Sequence, residues 1–224
     1  EKGALVVHTL RTILGETAFW TGVKDYLHTN AHTTVHTRDF QVAMEKASGR
    51  NLDGFFHDWV MSPGHPALSV KVGHAKGLLK LTVTQKQTGD AVPQTYRFPL
   101  AFTVVTAEGE RTLTLPVEER TRSWAIPMET SPIRVEVDPG FQFLSNMTIE
   151  GSRKLLIASL EGDAGVVGRI RAAKALAKEG SPIAIDALAK ALKTEPFWGV
   201  RAEIARLLGK NGTSAAREAL LACI

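Results

Sequence analysis

The chain has one cysteine, Cys223, in 224 residues. That excludes an internal disulfide framework and leaves stability to packing. No run approaches the roughly 18 apolar residues that a membrane-crossing helix requires, so no membrane span is expected. There is no glycine-rich phosphate loop, and Ser48, Ser62 and Ser69 lack a Gly-x-Ser-x-Gly context. Phosphate binding through such a loop and acyl transfer through such an elbow are thereby excluded. Charge of one sign is also scarce, with 27 basic against 23 acidic residues and a net charge of +4. The excess lies wholly in residues 149–224, because residues 1–148 hold 15 of each sign. No aromatic ladder accompanies it, and the density falls short of the basic stripe of a nucleic-acid domain. A soluble chain without a nucleic-acid partner is expected, with its compartment unassigned.

What is present is a globular balance, 44% hydrophobic and 22% charged, in three stretches of different period. Residues 1–65 read as helical. Ala4, Leu5, His8, Thr9 and Ile13 recur at three- and four-residue steps and predict one face, stopped at Leu14-Gly15. Ala18 to Leu27 reads as a second short helix. Thr37 reads as the N-cap of a third, with Asp39 in its first turn, running through Phe40 and Met44 to Gly49. Leu52, Phe55, Phe56 and Trp59 continue at helical spacing until Pro63-Gly64 breaks the run.

Residues 66–148 switch to period two. Leu68, Val70 and Val72 alternate, as do Leu79, Leu81 and Val83, then Phe98, Leu100, Phe102 and Val104, then Leu113, Leu115 and Val117. Trp124 with Ile126 and Ile133 with Val135 and Val137 complete the set. Ala107-Glu108-Gly109-Glu110 reads as a hairpin loop. Six or seven short strands predict a small antiparallel β-sandwich, ended by Asp138-Pro139-Gly140 because proline lacks the ladder donor.

Residues 149–224 return to helical period and repeat themselves. A shift of 32 residues places Arg169 on Arg201, Ala173 on Ala205, Leu176 on Leu208 and Gly180 on Gly212. The same shift aligns Leu156, Leu188 and Leu220, and Leu160, Leu192 and Ile224. Helix pairs of this period resemble HEAT-type repeats, which bury their apolar faces only by stacking into a solenoid. The last helix ends without a polar cap, so further repeats are expected after Ile224. The open end is expected to fray or to pack against another copy of the chain.

His28, His32 and His36 are spaced by four, as on a zinc-binding helix. The intervening Thr29-Asn30 and Thr33-Thr34-Val35 form helix poorly, and no glutamate lies between the histidines to act as a base. The segment reads as a polar loop and no metal is assigned to it. His57 and His65 read as structural. Glu45, Asp53 and Asp58 read as solvated helix charges, and Cys223 as a small core residue.

Two stretches together resemble the zinc aminopeptidases of the aminopeptidase N family, which are thermolysin-like. Glu1-Lys2-Gly3-Ala4 opens a helix, as a Lys/Glu-Gly-Ala run does in that family. Trp59-Val60-Met61-Ser62-Pro63-Gly64-His65-Pro66 matches the Trp-x-x-x-Pro/Ser-Gly-x-Pro stretch that ends the catalytic domain. The resemblance implies an α+β multidomain chain: the helical end of a thermolysin-like catalytic domain over residues 1–65, a β-sandwich over 66–148 and a truncated HEAT-like α-solenoid over 149–224. It implies a parent enzyme that removes N-terminal residues from peptides, with zinc activating water, a glutamate as base and a tyrosine stabilising the oxyanion. The family's His-Glu-x-x-His, its Gly-x-Met-Glu-Asn box and its tyrosine would all precede Glu1.

The chain alone is therefore expected to hold no catalytic residue and no zinc, and to be inactive. Lys2 and Gly3 would lie beside the tyrosine and position it without reacting. Arg169 and Arg201 are candidates for attracting a peptide carboxylate, against the plainer reading that each pairs with an acidic side chain or helix end of a neighbouring repeat. The rival class is a non-catalytic scaffold derived from the same family.

Overall fold

The computed structural model describes residues 2–162 and 164–222. Lys2–Leu14 forms α1, Glu16–Thr29 α2, Thr37–Ser48 α3 and Asp53–Phe56 α4, which runs on into a π-helical turn, His57–Met61. Leu10, Phe19, Met44, Leu52 and Phe56 make the core of this helical group. The packed face of α1 is shifted from the expected one and shares Thr9 with it. It buries Val6, Thr9 and Leu10, while Ala4 is exposed. The reason is that α1 serves two cores at once: Leu10 joins the helical group and Val6 joins the strands that follow.

The N-cap of α3 is His36, one residue earlier than expected. The His36 amide donates to Asp39 Oδ2 at 2.7 Å. Asp39 thus stands three residues inside the helix, where an acidic side chain can reach back to the cap amide. The second helix also extends beyond both expected ends, from Glu16 to Thr29.

Seven strands follow: β1 Ala67–Ala75, β2 Leu78–Gln85, β3 Phe98–Thr106, β4 Gly109–Val117, β5 Thr121–Pro127, β6 Arg134–Val137 and β7 Asn146–Glu150. They form two sheets, ordered β5-β2-β1-β7 and β4-β3-β6. Alternation puts Leu79, Leu81 and Val83 of the first sheet and Leu100, Phe102 and Val104 of the second into one shared core. Each such side chain removed from water contributes about 1.5–3 kcal/mol.

The strands are not purely antiparallel as expected. β7 lies parallel to β1, with Leu68 opposite Met147 and Val70 opposite Ile149. Its Met147-Ile149 alternation lies beyond the Asp138-Pro139-Gly140 turn at which the strands were expected to end, and the expected boundary at 148 falls inside it. The Asp138-Pro139-Gly140 turn ends β6, but the chain then returns to the first sheet, where the Asn146 amide donates to Pro66 O at 2.9 Å.

Helices α5 Arg153–Glu161, α6 Val166–Glu179, α7 Pro182–Thr194, α8 Trp198–Asn211 and α9 Ser214–Leu221 complete the chain. Their positions follow the 32-residue shift. Gly180 and Gly212 end α6 and α8 in the left-handed conformation, at φ 66° and 71°, which glycine adopts without a steric penalty. The residues after them, Ser181 and Thr213, cap the next helices by accepting from Ala184 N and Ala216 N, both at 3.3 Å. Leu156, Leu160, Leu188 and Leu192 are buried in the shared helical core and Leu220 is partly so; Cys223 and Ile224 lie outside the described residues. No helix among the described residues is long and apolar enough to cross a membrane.

The three groups of elements touch directly. Trp59 of the π-helical turn stacks on Phe55 and meets Tyr96 and Phe98 edge-on at centroid distances of 4.9 and 6.0 Å. Leu155 of α5 enters the sheet core, and α5 and α6 pack against β6 and β7.

Candidate functional site

A concave, largely apolar surface lies where α1 begins. A groove of about 510 Å³ runs between α1, the end of α2, the start of α3 and the α4–π turn, with Lys2 and Gly3 on its wall. Its floor is apolar because Tyr26, Phe40, Phe55 and Phe56 turn inward from three separate helices. Its rim mixes half-exposed valines, Val7 and Val60 at 40% and Val35 at 39%, with exposed Lys2, His36 and Thr37. The groove brings the two motifs at opposite ends of the first 65 residues to one place, since Lys2-Gly3 and Trp59-Val60 both line it.

Gly3 has no steric reason of its own among the described residues. A methyl group placed on it would meet no atom within 4 Å.

The three spaced histidines do not converge. His28 sits in the last turn of α2, His32 adopts a left-handed turn at φ 61°, and His36 caps α3. Among the described residues, no group of three or more His, Cys, Asp or Glu side chains is placed to hold a metal ion. His57 and His65 are exposed. The His57 ring Nδ1 lies 2.9 Å from Asp58 Oδ1, at the surface and not in the core.

Arg169 and Arg201 are brought together by one turn. Arg169 forks onto Glu195, with Nε to Oε2 at 2.8 Å and Nη2 to Oε1 at 3.1 Å. Arg201 Nη1 donates to the carbonyls of Glu195 and Pro196, each at 2.8 Å. Both guanidinium groups therefore brace the Glu195-Pro196 turn between α7 and α8. A cleft of about 480 Å³ opens beside Arg169. Its other cation, Lys190, faces Glu161 at 2.8 Å, so each positive charge there meets a carboxylate.

A buried ionic site went unread in the sequence. Arg171 of α6 reaches Asp138 beyond the end of β6, Nη2 to Oδ2 at 3.4 Å, and also donates to the Val137 and Asp138 carbonyls. Burial raises the Asp138 carboxyl above its ordinary value, outweighing the backbone amides and Arg171 that favour the charged form. Burial likewise lowers the Arg171 guanidinium, against the pull of Asp138. A mark of this site exists in the repeat itself. Under the 32-residue shift Arg171 falls on Glu203, so its charge is not part of the repeat pattern.

Comparison with known proteins agrees with this layout. Residues 1–59 match the family model described as the peptidase family M1 domain, and residues 153–224 match the HEAT repeats. The alanine/arginine aminopeptidase of Saccharomyces cerevisiae is 28% identical over 185 residues, covering 80% of this chain and 21% of its own length. The membrane alanyl aminopeptidase of Heliothis virescens is 30% identical over 118 residues, covering 46% of this chain and 12% of its own. The crystal structure of Legionella pneumophila aminopeptidase A in complex with aspartic acid matches with a TM-score of 0.71 at 18% identity, over 99% of this chain and 29% of that one. At that identity the likeness speaks for the fold alone. The chain spans about a fifth or less of the two curated relatives' length. With a peptidase family M1 match first, HEAT repeats last and aminopeptidase relatives across the junction, the chain is similar to a segment of M1-family aminopeptidases and carries HEAT-like repeats.

Proposed function

We propose that this chain forms the flank of a zinc metallo-aminopeptidase, which removes N-terminal residues from peptides, and that it contributes no reacting group itself. Residues 1–65 would be the closing helices of the peptidase domain, residues 66–148 a β-sandwich, and residues 149–224 the start of a HEAT-like solenoid. The groove at the start of α1 carries this reading. It is a largely apolar surface of about 510 Å³ with half-exposed valines on its rim and open space beside Gly3. Such a surface fits the remaining part of a peptidase domain packed across it, with Gly3 leaving room for a close approach.

Zinc does not fit the described residues of this chain, since no three His, Cys, Asp or Glu side chains among them are placed to hold a metal ion. In this reading the metal and the residues that hold it belong to the part that covers the groove. Arg169 and Arg201 brace the α7–α8 turn, and a substrate carboxylate would have to displace the Glu195 side chain to reach Arg169. Peptide substrates then meet this chain only as a wall.

Metal analysis of the whole gene product, purified without a polyhistidine tag, tests the proposal. About one tightly held zinc per copy is expected, absent from residues 1–224 expressed alone. A whole product free of zinc would support the scaffold instead.

A further inference from the structure

We propose that Asp138 is the junction that holds α1 in register with the helical repeats, and that Thr9, Asp138 and Arg171 are positioning residues for the N-terminal end of α1. The importance of that end rests on the function proposed above; the linkage itself rests on geometry alone.

Asp138 is fully buried and occupies a left-handed backbone position at φ 47°. A non-glycine residue held there is over-determined by its surroundings, and the contacts show how. Its own amide donates to Ala101 O at 2.8 Å, tying it to β3. One carboxylate oxygen faces Arg171 of α6, and the other accepts from the Gln142 amide at 2.7 Å. The segment from Gln142 to Leu144 is thereby fixed on its repeat-facing side.

Its opposite side is gripped by Thr9. The Thr9 hydroxyl donates to Gln142 O and accepts from Leu144 N, both at 3.3 Å. Phe143 between them is buried in the sheet core. Thr9 is itself fully buried, so the hydroxyl loses both partners at once if the loop shifts, and a buried unpaired hydroxyl is unfavourable. A continuous line of polar contacts therefore runs from Arg171 through Asp138 and Gln142 to Thr9. Thr9 sits on the same helix as Gly3, under two helical turns away. A change in how the repeats seat on β6 would be felt as a change in the seat of α1.

Native-state hydrogen exchange on the full chain tests this, using Thr9→Val, Arg171→Leu and the milder Asp138→Asn. Leu208→Ala, in the repeat core but outside the line, serves as the control for general loosening. Arg171→Leu is expected to speed exchange at the Leu144 amide and in the first two turns of α1 by roughly tenfold, with Leu208→Ala leaving both as in the parent chain. Asp138→Asn should act in the same direction, and it supplies the answer if Arg171→Leu does not fold. The Thr9→Val, Arg171→Leu double variant should exchange at α1 no faster than the faster single one. Loosening confined to α6 and β6, or rates that multiply in the double variant, would overturn the junction. Wild-type gene product without peptidase turnover would instead defeat the proposed function and leave the junction standing.

Discussion

Arg169 and Glu195 lock two successive helical repeats, with the guanidinium forked onto the carboxylate at 2.8 and 3.1 Å and only 3% of the Glu195 side chain exposed. Glu195 also accepts from the Phe197 amide at 2.9 Å, which starts α8. One carboxylate thus fixes the angle between α6 and the α7–α8 pair.

Glu195→Ala should therefore lower the unfolding free energy by about 3–5 kcal/mol, because it strands a largely buried cation. Glu195→Gln should cost less, since it keeps an acceptor for Phe197. Denaturant unfolding measures both. A loss under about 0.5 kcal/mol for Glu195→Ala would class the pair with exposed surface bridges.

Trp59 is 3% exposed and stands between the first helices and the sheets, stacked on Phe55 and edge-on to Tyr96 and Phe98. Trp59→Ala should cost about 3–5 kcal/mol in the same measurement. Trp59→Phe should recover most of it. Equal losses for the two would mean that the cavity is not what matters there.

Asp138 gives a pH dependence of definite sign. Burial places its folded-state pKa above the ordinary 3.8, so the folded chain binds this proton more tightly than the unfolded chain does. Its stabilising contribution is fully present below the ordinary value and is lost as pH rises through the folded one. Relative to Asp138→Asn, the parent chain should gain stability as pH falls through that window. A parent chain that loses stability relative to the variant on acidification would show that Arg171, and not burial, controls the carboxyl.

The helix α9 ends the described repeats with Leu221 59% exposed. Repeat arrays need a covering unit at each end. Hydrogen exchange should find α9 the least protected of the helices from α5 onward, or sedimentation should show self-association that one added repeat suppresses. Full protection of α9 in a monomer would mean that the array closes here.

The periodic features were legible in the sequence. Strands such as Leu79-Leu81-Val83 announce themselves by alternation, and Gly180 and Gly212 by a shift that only a repeat explains. The Lys2-Gly3 and Trp59 motifs pointed to a family and do share one groove. Features made by long-range docking were not legible. The face of α1 is set by two cores, β7 lies beyond the Asp138-Pro139-Gly140 turn at which the strands were expected to end, and the Asp138–Arg171 pair joins residues that no local pattern relates. Arg169 and Arg201 were visible as a repeat, but their shared partner at Glu195-Pro196 exists only once the helices stack.

The most direct measurement of the central claim is hydrolysis of an aminoacyl reporter by residues 1–224 and by the whole gene product, side by side, with zinc and with a chelator. The account predicts no turnover by residues 1–224 under either condition, and chelator-sensitive turnover by the whole product. Turnover by residues 1–224 that persists through repurification and is lost on changing one of their own side chains would contradict it.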